Sequence, residues 1–257
     1  MPELAADIAA IAAEAGRHAM ARWQCDFARW EKVPGHPVCA VDLEVDALLR
    51  DRLGALLPDA GWLSEETVDN ADRLALSRLW VVDPIDGTRD YLRGRSGWAV
   101  SIALVENGQP VIGVLDAPAR GEVWTARAGA GAWRNGTALH AAERADLPGA
   151  RVPADQLPRV DRDLVTVPKP NSIALRIAMV AAGEADLVAT LRWGHEWDIA
   201  AAVLLAREAG AAVTDALGQA LAFNTPAGEA YGVLATTQGI HAAAVARLAD
   251  RVEPGKR

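Results

Sequence analysis

Residues 79–88, Leu-Trp-Val-Val-Asp-Pro-Ile-Asp-Gly-Thr, constrain this chain more than any other stretch. Four successive apolar residues with no polar alternation describe a strand buried on both faces, which obliges the fold to supply a covering layer on each side of a sheet. The run ends on two carboxylates, Asp83 and Asp86. Pro84 fixes the backbone between them and glycine follows, so both can point at one locus just past the strand end. Carboxylate and carbonyl oxygens are the ligands that Mg2+ prefers. Gly87 and Thr88 open a short helix through Tyr91, whose free N–H groups suit a phosphate. Most Asp-Gly pairs are Asx-capped turns without chemistry, and on this hexapeptide alone that alternative stays open.

The flanking sequence supplies candidate layers. Apolar positions at helical spacing predict helices from Leu4 to Met20 and from about Val41 to Leu57, with a loop at Pro34, Gly35 and Pro37 between them. Trp98–Val105 and Pro110–Leu115 are β-rich and joined by Glu106-Asn107-Gly108, a hairpin signal; Glu122–Ala126 and the Arg134-Asn135-Gly136 turn continue an antiparallel meander. The first half therefore reads as helices on an antiparallel sheet. Residues 141–170 are rich in Pro, Asp and Arg, and the domain junction is placed there. Beyond it come a helix from Ile173 to Ala182, a strand from Ala185 to Leu191, a helix from Ile199 to Ala209, short strands near Ala212 and Tyr231, and a last helix from Ile240 to Leu248. Glu253–Arg257 reads as a frayed end. The expected organisation is an α+β domain, 1–145, followed by an α/β domain, 146–257.

Composition narrows the function. With 257 residues, 51% hydrophobic, there is ample chain for a core, and neither a disordered nor a collagen-like protein fits. The 34 acidic against 26 basic residues give a net charge of −8, which argues against a nucleic-acid polymer as partner. Cys25 and Cys39 are too few for a disulfide framework or a four-cysteine zinc site. Glu3 and Asp7 precede the first basic residue, Arg17, unlike a targeting segment, and no apolar run reaches the ~20 residues of a membrane span. A cytoplasmic chain with no membrane partner is expected. Haloacid dehalogenases carry a comparable D-x-D-G-T signature, but with one residue between the aspartates where Asp83 and Asp86 have two, and near the N-terminus. The spacing and position here disfavour that reading.

Other carboxylates stand at element ends: Glu65-Glu66 after Trp62-Leu63, and Trp197-Asp198 at the head of an apolar helical run. Together with Asp83–Thr88 and the stretch Trp197–Gly210, they resemble the three signatures of the inositol monophosphatase superfamily, in order and over nearly the whole chain. The resemblance implies a layered αβαβα sandwich and an Mg2+-dependent phosphomonoesterase acting on a small phosphorylated metabolite. It implies that Glu65, Asp83 and the carbonyl of Ile85 hold a first Mg2+ and that Asp83, Asp86 and Asp198 hold a second. Thr88, supported by Asp42, would orient the water that the metal activates for direct in-line attack, while Gly87, Thr88, Asp86 and Asp198 contact substrate. Glu66 would be a supporting residue or serve a later-bound metal. A homodimer is the assembly such a family suggests.

Departures from the family pattern bear on substrate. Cys39 stands where relatives usually place threonine, and Asp90 replaces a common asparagine. Inositol monophosphatases carry a glutamate for sugar hydroxyls seven residues before the aspartate that is Asp198 here; in this chain the position is Leu191. Arg192, Lys169 and Arg176 offer cations for a second phosphate or nucleotide, with Arg176 the preferred candidate and solvated surface the alternative. The texture of 80–98 and 191–210 resembles the bacterial bisphosphate nucleotidase branch, so 3'-phosphoadenosine 5'-phosphate is the expected substrate, ahead of inositol 1-phosphate or fructose 1,6-bisphosphate. A degenerate metal- or phosphate-binding scaffold is the non-enzymatic alternative. His195, three residues before Asp198, reads as an ordinary polar or core residue because the expected chemistry uses hard oxygen ligands. The nine tryptophans read mainly as packing residues.

Overall fold

Leu79 and Val81 face one hydrophobic core, Trp80 and Val82 another, so the continuous apolar run is explained by a strand with a packed layer on either side. The computed structural model describes residues 1–33 and 36–253. In chain order the elements are α1 (Pro2–Arg22), β1 (Arg29–Val33), β2 (His36–Cys39), α2 (Ala40–Leu56), β3 (Gly61–Ser64), β4 (Arg78–Asp86), α3 (Thr88–Leu92), β5 (Ala99–Glu106), β6 (Gln109–Ala117), β7 (Glu122–Arg127), β8 (Gly131–Arg134) and β9 (Thr137–Ala138). They continue with β10 (Arg151–Pro153), β11 (Val165–Val167), α4 (Ile173–Ala181), β12 (Leu187–His195), α5 (Ala200–Glu208), β13 (Ala212–Thr214), β14 (Glu229–Thr236) and α6 (His241–Leu248).

Strands β3 to β9 form one seven-stranded sheet in sequence order. Helices α1 and α2 cover one face, burying Ile8, Ala12, Val45 and Leu49 against Trp80, Val100 and Ile102. Helices α4 and α5 cover the other, and behind them lies a three-stranded sheet in the order β12-β14-β13. Helix α6 packs on β14 through Ala244 and Leu248, completing the αβαβα order of layers. Among the described residues no helix is long and apolar enough to cross a membrane.

Three details differ from the expectations. The large sheet is not wholly antiparallel: β3 runs parallel to β4, with Gly61 beside Leu79 and Ser64 beside Val82. Residues 65–77, which include a 3-10 turn at Ala71–Ala75, carry the chain back to the same sheet end, a crossover that no hairpin turn permits. Second, the expected loop at Pro34, Gly35 and Pro37 is flanked by an antiparallel ribbon of β1 and β2 in which Pro37 pairs with Glu31; Pro34 and Gly35 lie outside the described residues. Proline is admissible there because a two-stranded ribbon has free edges. Third, β12 runs on past Leu191 to His195, with an irregularity between Thr190 and Trp193 before pairing resumes at Trp193–Tyr231. Residues 254–257 of the expected frayed end also lie outside the described residues.

The contact between the large sheet and α5 is close enough to exclude side-chain atoms. A Cβ on Gly113 of β6 would stand 2.7 Å from the Ala201 carbonyl oxygen and 3.1 Å from its Cα, both backbone atoms of α5. Because backbone cannot step aside as a flexible side chain can, Gly113→Ala is expected to cost about 1–3 kcal/mol through overpacking. Urea denaturation followed by circular dichroism measures this, and an unchanged midpoint would contradict the packing described.

Candidate metal and phosphate site

On a regular strand, residues three apart face opposite sides, so Asp83 and Asp86 need a break in the ladder to converge. The break is a bulge: Asp83 pairs with Ser101 and Asp86 with Ala99, three steps along β4 against two along β5. Asp83 then closes a local turn by accepting the Ile85 N–H at 3.0 Å. One oxygen each of Asp83, Asp86 and Asp198 lie within 4.8 Å of one another. Asp198 arrives from the other half of the chain, on the turn leading into α5, where its carboxylate accepts the His195 N–H at 3.3 Å.

Asp86 is held by the start of α4. Its Oδ2 accepts the Ser172 hydroxyl at 2.5 Å and the Ala174 N–H at 2.7 Å, and its Oδ1 accepts the Ile173 N–H at 3.3 Å. Ser172 also caps the helix by accepting the Leu175 N–H. The approach of these backbones explains the glycine after Asp86. Gly87 has φ +96°, and a Cβ there would stand 2.6 Å from the Gly97 carbonyl oxygen and 2.9 Å from the Ser172 nitrogen.

Thr88 lies between two acceptors, with its hydroxyl 3.0 Å from the Ile85 carbonyl oxygen and 3.4 Å from Asp42 Oδ1. Asp42 is buried on the first turn of α2, and its other oxygen accepts the Cys39 N–H at 2.7 Å. The main chain of Cys39 thus supports Asp42, while burial first and then the Asp42 charge push its thiol up to about 12. Glu65 follows β3, and its N–H donates to the Val82 carbonyl at 3.3 Å, so the parallel pairing of β3 with β4 sets Glu65 beside Asp83.

Other candidates have structural partners of their own. Arg176 donates Nε to the Pro170 carbonyl at 2.8 Å and Nη2 to the Asn171 carbonyl at 2.6 Å, clasping the loop before α4. Lys169 pairs with Asp155 at 2.9 Å, and Arg192 is exposed. Asp90 accepts the Asn171 N–H at 3.0 Å, fastening that loop from the α3 side. His195 stacks on Trp197, ring centroids 4.1 Å apart, and among the described residues the acidic cluster contains no histidine. Trp80, Trp98 and Trp124 are fully buried, in keeping with packing roles.

Sequence reasoning missed two supports. Buried Asp46, one turn after Asp42, accepts the hydroxyls of Ser64 and Thr67, the latter at 2.7 Å, and so brackets Glu65-Glu66. The available signal was the four-residue spacing of the two aspartates on α2. Ser172 was also missed; a serine just before an apolar helical run is a cap signal, but its bond to Asp86 depends on tertiary placement.

The electrostatics call for a cation. Burial, followed by the charges of Glu65, Asp86, Asp198 and Asp42, raises Asp83 well above the carboxylate range. Burial also raises Asp86, opposed by the Ser172 and Ala174 bonds, while burial and Asp86 push Asp198 up to about 7. A hard divalent cation suits this all-oxygen donor set and offsets its repulsion. The fold and the site together define a metal-dependent phosphatase. The chain belongs to the inositol monophosphatase family, whose model matches residues 2–253. It is 34% identical over 191 residues to the fructose-1,6-bisphosphatase/inositol-1-monophosphatase of Thermotoga maritima, covering 71% of this chain and 72% of that one. It is 30% identical over 236 residues to the 3'(2'),5'-bisphosphate nucleotidase CysQ of Aggregatibacter actinomycetemcomitans, covering 85% and 86%. The Thermotoga maritima IMPase structure superposes with a TM-score of 0.84 at 28% identity, covering 97% of this chain and 98% of that one.

A folded-state carboxylate pKa raised above its unfolded value makes the metal-free protein less stable as pH rises. For Asp198 that window runs from about 4 to about 7. Cation binding removes the penalty in competition with protons. The gain in thermal midpoint on adding Mg2+ is therefore expected to widen from pH 5 to pH 8 in scanning calorimetry; a gain independent of pH would contradict the coupling.

Proposed function

We propose that this chain is a Mg2+-dependent phosphomonoesterase whose preferred substrate is 3'-phosphoadenosine 5'-phosphate. The observation carrying the phosphatase chemistry is the convergence of Asp83, Asp86 and Asp198 beside the Thr88–Asp42 pair. In this reading Glu65, Asp83, Asp86, Asp198 and the Ile85 carbonyl hold Mg2+. When bound, the metal supplies charge for the phosphoryl oxygens and lowers the pKa of water, a need set by the slow spontaneous hydrolysis of phosphate monoesters. The protein's own groups do the orienting. Thr88, donating its single proton to Asp42 or Ile85, keeps lone pairs to accept a hydrogen bond from the attacking water. Asp42, fixed by the Cys39 N–H, holds that hydroxyl in place. The Gly87 and Thr88 amides receive the phosphate, and Asp86 and Asp198 complete its surroundings.

One feature favours the nucleotide over a polyol phosphate. Leu191 packs against the cluster of Leu187, Leu234 and Ala244, so the position expected to receive sugar hydroxyls is apolar. Arg176, keeping N–H groups beyond those spent on Pro170 and Asn171, is assigned to the second phosphate. We place the reaction in the cytoplasm, with residues 1–145 supplying most of the metal ligands and 146–257 closing the site through Asp198.

Replacing Asp83 with Asn is expected to lower Mg2+-dependent kcat about a thousandfold, roughly 4 kcal/mol in barrier, read as phosphate release. Activity left intact, or no release from any small monoester by the wild type, would favour the scaffold alternative. Substrate choice is read by comparing kcat/KM for 3'-phosphoadenosine 5'-phosphate, inositol 1-phosphate and fructose 1,6-bisphosphate; dominance of inositol 1-phosphate would overturn the nucleotide assignment.

A further inference from the structure

Residues that bear no metal ligand join the two segments that do. Arg73, on the 3-10 turn eight residues after Glu65, is only 2% exposed. Its guanidinium grips Asp69 with two bonds, Nε to Oδ1 at 2.7 Å and Nη2 to Oδ2 at 2.8 Å. It then crosses to a turn near the end of the chain, donating Nη1 to Asn224 Oδ1 at 2.7 Å and Nη2 to the Thr225 carbonyl at 3.0 Å. Asn224 returns a bond from Nδ2 to the Arg73 carbonyl at 3.2 Å.

The same turn is held from its other side by Glu196, which is fully buried. Glu196 accepts the Asn224 N–H at 2.7 Å, the Thr225 N–H at 2.9 Å and the Thr225 hydroxyl at 2.6 Å. Its own N–H donates to the Gly228 carbonyl, and its carbonyl accepts from Ile199 and Ala200, opening the helical turn that contains Asp198. Gly228 closes the circuit: a Cβ there would lie 3.4 Å from Leu63 and 3.6 Å from Arg73 Nη2, so the turn seats on the strand that leads into Glu65. A buried cation and a buried anion, each with several partners, are costly to leave unpaired, and this gives the assembly few alternative arrangements.

We infer that Arg73 and Glu196, joined through the Asn224–Thr225 turn, form a strut that sets the position of Glu65 relative to Asp198 and thereby the affinity of the acidic site for its divalent cation. Both are positioning residues, acting through the carboxylates whose segments they hold. The inference rests on the metal-dependent reading above. It concerns geometry that neither the Asp83–Asp86 bulge nor the cap on α4 controls.

The experiment is calorimetric titration of Mg2+ into metal-free wild type, Arg73→Met, Arg73→Lys and Glu196→Gln, with thermal midpoints measured alongside. Supporting groups behind metal ligands are worth about 10–100-fold in affinity. The Met and Gln variants are expected to bind Mg2+ at least about tenfold more weakly, with kcat restored toward wild type at saturating Mg2+ and substrate KM unchanged. Lysine, which keeps the charge but not the fork, should fall between. Arg251→Met, which opens an ion pair to Asp161 beneath α6, serves as control and should lower the midpoint without changing Mg2+ affinity. If Arg73→Met does not fold, Arg73→Lys and Glu196→Gln decide. Variants that bind Mg2+ within twofold of wild type overturn the strut. Absence of Mg2+ binding by the wild type overturns the metal-dependent reading and the strut with it, so the two failures are distinguishable.

Discussion

Repulsion among buried carboxylates is the interaction on which the rest of this structure depends. Asp83 and Asp86 are almost wholly removed from water, Asp198 lies with them, and the charges of Glu65 and Asp42 reach the same locus. Such a cluster is tolerated only if its carboxylates are individually anchored, and each anchor is a different piece of backbone. Asp83 turns onto Ile85, Asp86 onto the first turn of α4, Asp42 onto Cys39 and Asp198 onto His195. These N–H donors stabilise the ionised form locally, whereas a divalent cation relieves the repulsion that remains.

The layered architecture is what makes those anchors available. A sheet covered on both faces gives β4 a rigid bed, and the irregularity in its pairing with β5 turns a two-residue alternation into convergence. The parallel neighbour β3 then delivers Glu65 to the same sheet end that an antiparallel hairpin would have left empty. From the opposite side α4 and α5 bring Ser172 and Asp198, one helix presenting N–H groups and the other a carboxylate.

Local sequence made some of this legible and concealed the rest. The unbroken apolar run 79–82, the helical periodicity of 4–20 and 41–57, and the Asn-Gly turns are short-range signals, and the elements they predict are present within a few residues. The parallel β3–β4 pairing was hidden because four residues, Gly61–Ser64, carry no mark of which neighbour they join or in which direction. Pro37 in a strand was hidden because proline normally argues against one. In the site, Asp83, Asp86 and Asp198 could be singled out by motif, whereas Asp46, Ser172 and Glu196 could not: their partners lie 18, 86 and 29 residues away, and only the folded chain makes them neighbours. Arg176 and Lys169 illustrate the reverse, since a cation near a site reads the same in sequence whether it faces a ligand or, as both do, also binds a carbonyl or a carboxylate of the protein.

The order of strands in the smaller sheet bears on the protein's synthesis. Strand β14 is central, so β12 and β13 have no partner in that sheet until residues 229–236 have been made. The turn that receives Glu196, at residues 224–225, is equally late. A ribosome-bound chain in which residues 224–236 have not yet been made holds Glu65, Asp83 and Asp86 but has no seat for Asp198. Glu65, Asp83 and Asp86 are therefore made well before Asp198 can be seated beside them, and the acidic cluster waits for residues 224–236.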